Sequence, residues 1–147
     1  MMKRCGLLLI VLLLVVVGCG FPRTPDAQAT WFFHRGESWI VDALQDTKAG
    51  DANVAAARSV LHAREPEVTA ALARFFGQQR ALLDTIATGA PTGELLARQQ
   101  DFEEAHLAAL RAVGGLHEAV AEAVGDRAWQ AARAHMRERV DDWKKKE

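Results

Sequence analysis

The apolar positions of this chain change their rhythm near residue 20. Residues 7–17 form an unbroken apolar run, short of the roughly twenty residues that a membrane-spanning helix takes. Beyond Thr30 the apolar residues recur every three or four positions, the period of an amphipathic helix. A first helix is predicted from Trp31 to about Thr47, broken near Gly36 or restarting at Ser38. Gly50 stops it, and Asp51 is the expected N-cap of the second helix. That helix carries Val54, Ala57, Leu61, Val68, Leu72, Phe75, Leu82 and Ile86 on one face. The doubled positions Val60-Leu61, Phe75-Phe76 and Leu82-Leu83 widen this stripe, which implies more than one packing neighbour. Pro66 falls inside the pattern without changing its phase, so a kink is expected there.

The turn at 89–93, Gly-Ala-Pro-Thr-Gly, separates the second helix from a third. The third places Leu95, Phe102, His106, Leu110, Val113, His117, Val120 and Val124 on its expected inner face. Gly114-Gly115 interrupts it, marking either a close approach by the facing helix, a bend or a tolerated weak spot. Gly125-Asp126 is a stop and a new cap. The last helix puts Trp129, Ala132, Met136, Val140 and Trp143 on one side, and the lysines at 144–146 complement its C-terminal dipole. The expected fold is all-α, with four helices. An antiparallel hairpin of two long helices carries a shorter helix at each end.

The first twenty residues make sense only as a targeting segment. Lys3 and Arg4 precede the apolar run, which has the length and flanks of a secretory signal. Val16-Val17-Gly18-Cys19 then resembles the bacterial lipobox, an aliphatic residue and small residues before an obligatory cysteine. The resemblance implies cleavage between Gly18 and Cys19, with a covalent lipid on the Cys19 thiol. Residues 1–18 are thus expected to be a lipoprotein signal peptide, 19–30 the lipidated cysteine with a flexible tether, and 31–147 the helical domain. The ten residues at 21–30 reach at most about 30 Å when extended. Gly20 stands where an aspartate would resemble an inner-membrane retention signal, which points to the outer membrane, facing the periplasm.

Composition narrows the function further. The whole chain has 18 basic and 19 acidic residues. Without the signal segment, which takes Lys3 and Arg4 and no acid, the net charge is −3, so no electrostatic footprint for nucleic acid is expected. Both cysteines, Cys5 and Cys19, lie at or before the cleavage point, and no disulfide is available to the domain. Ten arginines and no lysine fall between positions 58 and 139. Solvated helix faces account for them, and the alternative is a cradle in which arginines flank apolar patches. No serine stands beside a histidine as a nucleophile–base pair and no Gly-rich loop follows a strand, so an enzyme is not expected.

Five histidines raise the question of a metal ion. His106 and His117, with Glu103 one turn before His106, are the candidate ligands. The two histidines are eleven residues apart, about 16 Å along a helix axis, too far to share one ion. His34, His62 and His135 approach them only through tertiary packing. Histidines at the core boundary or in solvent are the favoured reading, and no cofactor besides the covalent lipid is expected. The aromatic cluster Trp31-Phe32-Phe33 with Trp39 reads first as core. The alternative is a face lying on a partner or on the membrane interface.

From Asp51 onward the order of features resembles the periplasmic Spy/CpxP-like family, which includes heavy-metal resistance sensors. The residues carrying this are Asp51, Arg64-Glu65-Pro66-Glu67-Val68, the turn at Pro91, Leu116-His117-Glu118-Ala119-Val120 and Gly125-Asp126-Arg127-Ala128-Trp129-Gln130. The resemblance implies a hooked helical hairpin, often a homodimeric cradle, that binds unfolded clients or partner proteins. A metal-responsive sensor and an accessory lipoprotein docking an envelope complex are the alternatives. If Cys19 carries the lipid, Cys19→Ala moves the protein from the membrane to the soluble fraction while its helical circular dichroism is retained. Fatty-acid label remaining undiminished on the Ala variant would contradict the assignment.

Overall fold

The computed structural model describes residues 22–145; Cys5, Gly18 and Cys19 lie outside this range. Four helices follow one another: α1 (Pro25–Asp46), α2 (Asp51–Ala87), α3 (Thr92–Val124) and α4 (Asp126–Lys144). Among the described residues there is no strand. The all-α expectation of two long central helices with a shorter one at each end is what the chain adopts.

The first helix begins earlier than the periodicity suggests. Thr24 is its N-cap, the Thr24 hydroxyl accepting from the Ala27 N–H at 3.3 Å, with Pro25 in the first turn and Asp26 against the positive end of the dipole. Residues 25–30, expected to be tether, are therefore helix. They are also held in place. Gln28 Nε2 donates to the Pro22 carbonyl at 2.9 Å, and Arg80 Nη1 donates to the Arg23 carbonyl at 3.1 Å. The helix runs unbroken through Gly36 and Ser38, since neither residue lacks a helical N–H and the apolar phase continues on both sides.

Two of the joints depend on backbone that only glycine adopts cheaply. Gly50 (φ 93°) and Gly125 (φ 81°) occupy the N-cap positions of α2 and α4. Asp51 and Asp126, expected as the caps themselves, instead begin their helices, where their carboxylates still meet the N-terminal dipole. Helix α2 is continuous through Pro66. The proline is exposed, so water can satisfy the carbonyl that loses its partner. Helix α3 is likewise continuous through Gly114 and Gly115. A Cβ added at either would meet nothing within 4 Å, which rules out close approach as their reason. They remain weak points that cost about 1.5–2 kcal/mol against two alanines.

Each helix packs on its sequence neighbours and α4 closes back on α1, so the four form an up–down–up–down ring. The core gathers at the end where α1 meets α2 and α3 meets α4. Leu44, Leu61, Val68 and Val120 are its largest fully buried side chains, joined by Phe33, Ile40, Leu116 and Trp129. Ala43, Ala57, Ala105 and Ala132 are fully buried. Such small residues let helix axes approach closely.

Alanine also decides the rotation of α3. Its buried residues are Ala105, Ala109, Leu116, Val120 and Val124. The expected inner residues His106, Leu110 and His117 are instead exposed. One residue is about 100° of helix rotation, so a face drawn through the larger side chains was turned by roughly that angle. Trp143, expected on the inner side of α4, is 63% exposed, because its position lies at the last turn of α4, beyond the main core.

Unequal lengths shape the rest. Helices α2 and α3 have 37 and 33 residues against 22 and 19 for α1 and α4. The central pair therefore projects past its partners as a two-helix arm ending in the turn at 88–91. From this packing, Leu61→Asp, a charge placed at a fully buried site, should unfold the domain. Leu110→Asp, at a side chain 57% exposed, should leave the thermal melt by circular dichroism nearly unchanged; unfolding by the second variant would overturn the assigned face of α3.

Candidate functional site

The base of the arm carries a continuous band of aromatic rings drawn from three helices. Trp31 meets Phe32 edge-on at 5.1 Å between centroids on α1, and Phe32 stacks on Phe76 of α2 at 5.2 Å. Phe76 touches Phe75 at 5.2 Å, and Phe75 reaches Phe102 and His106 of α3 at 5.5 and 5.4 Å. Phe102 and His106 stack on each other at 6.0 Å. All these spacings fall within the favourable range for ring pairs, each worth about 0.5–1.5 kcal/mol beyond the area buried.

Local structure explains how the band forms. Phe75 continues the inner row of α2 that holds Val54, Leu61 and Val68 at seven-residue intervals, and the doubled Phe76 reaches sideways to α1. The backbone anchors on Pro22 and Arg23 keep the start of α1 alongside this part of α2. On α3 the band does not stop at His106. Phe102, His106 and Leu110 stand at i, i+4 and i+8 in one row of the helix surface, and Leu107 adjoins it. Phe102 is half-buried, whereas Leu107 and Leu110 are 51% and 57% exposed. An apolar row thus leads from the packed rings out to solvent.

The candidate metal ligands go elsewhere. His106 belongs to the aromatic band, while Glu103 accepts from Gln99 Nε2 at 2.9 Å. His117 lies against the Trp129 ring at 5.7 Å. The structure does not bring His106 and His117 together. Among the described residues no group of three or more His, Cys, Asp or Glu side chains is placed to hold a metal ion. His34 and His62 join ion pairs between α1 and α2: His34 contacts Glu37 at 3.1 Å and Glu65 at 3.5 Å, and His62 contacts Glu65 at 3.9 Å. His135 ties α4 to Asp46 of α1 at 3.0 Å, and Arg139 lies 5.9 Å above the Trp39 ring. These contacts dock helices rather than form a reaction centre.

At the opposite end of the bundle a shallow cleft of about 500 Å³ lies between the two glycine joints. Thr47, Lys48, Asn53, Asp126 and Arg127 line it. Asn53 Nδ2 is already engaged with the Ala49 carbonyl at 2.8 Å, so the cleft wall serves the α1–α2 joint. In comparisons with known proteins, no family model, curated protein or solved structure matches this chain.

Sequence reasoning anticipated Phe75, Phe102 and His106 as apolar-face residues but not their assembly with Phe32. The missing signal was the early start of α1, readable in Thr24-Pro25-Asp26. His117 yields a pH expectation. Burial of the ring holds its pKa below the ordinary 6.5, and the nearby Arg133 charge lowers it further. The folded state therefore disfavours the proton. This stability is fully present above pH 6.5 and is lost as pH falls through the lowered folded value. Melting temperature should drop on acidification through this window, and His117→Gln should make the drop shallower; an identical acid-side slope in the variant would exclude the contribution.

Proposed function

We propose that this chain is a lipid-anchored helical binding module of the bacterial envelope, holding unfolded or partner proteins on the apolar row that leaves the aromatic band. The lipobox-like Val16-Val17-Gly18-Cys19 after its apolar run supports the anchoring. The observation that carries the binding role is the exposure of Leu107 and Leu110 in continuity with Phe102 and His106. A domain whose core alanines turn large leucines outward leaves apolar surface available to another chain.

Surface chemistry favours weak, broad contact over a deep pocket. Leu110 is followed by Arg111, whose aliphatic stem can lie over apolar client surface while its guanidinium stays in water. Trp143, at the end of α4, lies at the level of Leu107 by the antiparallel register of α3 and α4 and extends the same apolar area. Rings already packed on one another present a rigid contact surface, so little side-chain entropy is lost when a client settles on it. No bond-making step is part of this reading, and the likeness to the Spy/CpxP-like family is consistent with it.

The lipid-free domain should slow aggregation of an unrelated unfolded protein without ATP, at near-stoichiometric amounts. Leu107→Ser combined with Leu110→Ser should weaken that protection several-fold, as followed by light scattering, with the helical melt retained. Undiminished protection by the double variant would remove this row from the binding surface, and no protection by the unaltered domain at several-fold excess would overturn the client-binding role.

A further inference from the structure

We propose that the free end of the α2–α3 arm is a membrane-contact site, resting on the same lipid surface in which Cys19 is anchored; this builds on the lipoprotein reading above. The argument begins with the length of chain between the anchor and the folded domain. The start of α1 is pinned to α2 through the Arg80 bond to the Arg23 carbonyl, and Pro22 is held by Gln28. Only Gly20 and Phe21 separate Pro22 from Cys19. Three peptide steps cover at most about 11 Å. An apparent tether of a dozen residues is thereby reduced to a short leash.

Direction and distance then place the arm. The N-terminus of α1 points toward the hairpin turn, since α1 runs antiparallel to α2 with Pro25 beside Gly77. From Arg80 to Gly89 is nine residues of α2 and its cap, about 14 Å along the axis. The leash is shorter than the arm beyond it. A domain held to a bilayer by this leash, with its arm directed as its N-terminus is, brings the hairpin end into the headgroup layer.

The chemistry of that end suits a lipid surface. Residues 85–93, Thr-Ile-Ala-Thr-Gly-Ala-Pro-Thr-Gly, contain no charge. Leu83, Ile86 and Leu96 around them are 46%, 55% and 62% exposed. Insertion end-on immerses all sides of the tip, so these three need not share one face. Asp84 and Glu94 bound the uncharged stretch and limit it to interfacial depth, in keeping with the 5–10 Å or so reached by elements that lie on a membrane. No helix among the described residues is long and apolar enough to cross a membrane, so the tip rests on the bilayer and does not span it. The contact can be weak on its own, because the lipid anchor makes it intramolecular.

The experiment uses the mature lipid-bearing protein in vesicles of phosphatidylethanolamine with a minor fraction of phosphatidylglycerol. Mass spectrometry first establishes lipid on the Cys19 peptide. With that thiol occupied, Thr92→Cys at the arm end and Ala131→Cys at the far end each accept a single nitroxide label. The label at 92 should be shielded several-fold from a water-soluble nickel relaxant and enriched in contact with oxygen, whereas the label at 131 should remain fully aqueous. Leu83→Ser with Ile86→Ser and Leu96→Ser should return the label at 92 to water, with helicity unchanged because all three side chains are exposed. Lipid on Cys19 with equal aqueous access at both labels overturns the tip contact alone. An unlipidated Cys19 overturns the lipoprotein reading and the tip contact with it.

Discussion

The structure depends on the burial of small residues between helices at one end of the ring. Ala43, Ala57, Ala105 and Ala132 are fully buried. With alanine at these contacts, helix axes can approach closely, and Leu44, Leu61, Val68 and Val120 fill the space between them. Close-packed interiors respond to single methylene changes, so this set fixes the rotation of each helix. The rotation of α3 has the largest consequence. Turning Ala105 and Ala109 inward sends Leu107 and Leu110 outward, and the same packing that stabilises the fold creates its principal exposed apolar row.

Helix length is the second determinant. A ring of four equal helices would bury its apolar faces along their whole length. Here α1 and α4 are short, and the inner face of α2 and α3 continues beyond them. The aromatic band occupies this transition. Phe75 and Phe102 complete the inner rows of the hairpin, and Phe32 and Phe76 extend them sideways to α1. Bulky rings fill space at the base of the arm that aliphatic residues fill elsewhere in the core. Their packing makes the arm continuous with the bundle, and gives any protein bound at the exposed row a rigid foundation.

The N-terminal end of α1 connects fold to location. Thr24 caps the helix, and Arg80 and Gln28 hold the two residues before it. Each bond is modest, about 0.5–1.5 kcal/mol net, but together they set where the folded domain begins. A lipid-anchored protein with a long linker would sample many orientations, and a short one restricts them. The closed end of the bundle, with its Gly50 and Gly125 joints, then lies on the side away from the anchor.

The helix pattern, the turn at 89–93 and the glycine stops at 50 and 125 were legible in the sequence alone, because apolar period and backbone preference are local properties. So was the targeting segment, whose charge, apolar run and cysteine are contiguous. The core residues of α2 from Val54 to Val68 were legible for the same reason. The inner face of α3 was not. Alanine carries little hydrophobic signal, and its placement inside follows from how closely the neighbouring helices approach, which no single helix records. The band from Phe32 to His106 likewise required the register of three helices. The histidines illustrate the division most plainly: spacing separated His106 from His117, but only packing set one on Phe75 and Phe102 and the other on Trp129. A sequence determines which faces each helix can bury; the neighbours available, and the lengths over which they overlap, decide which faces are covered.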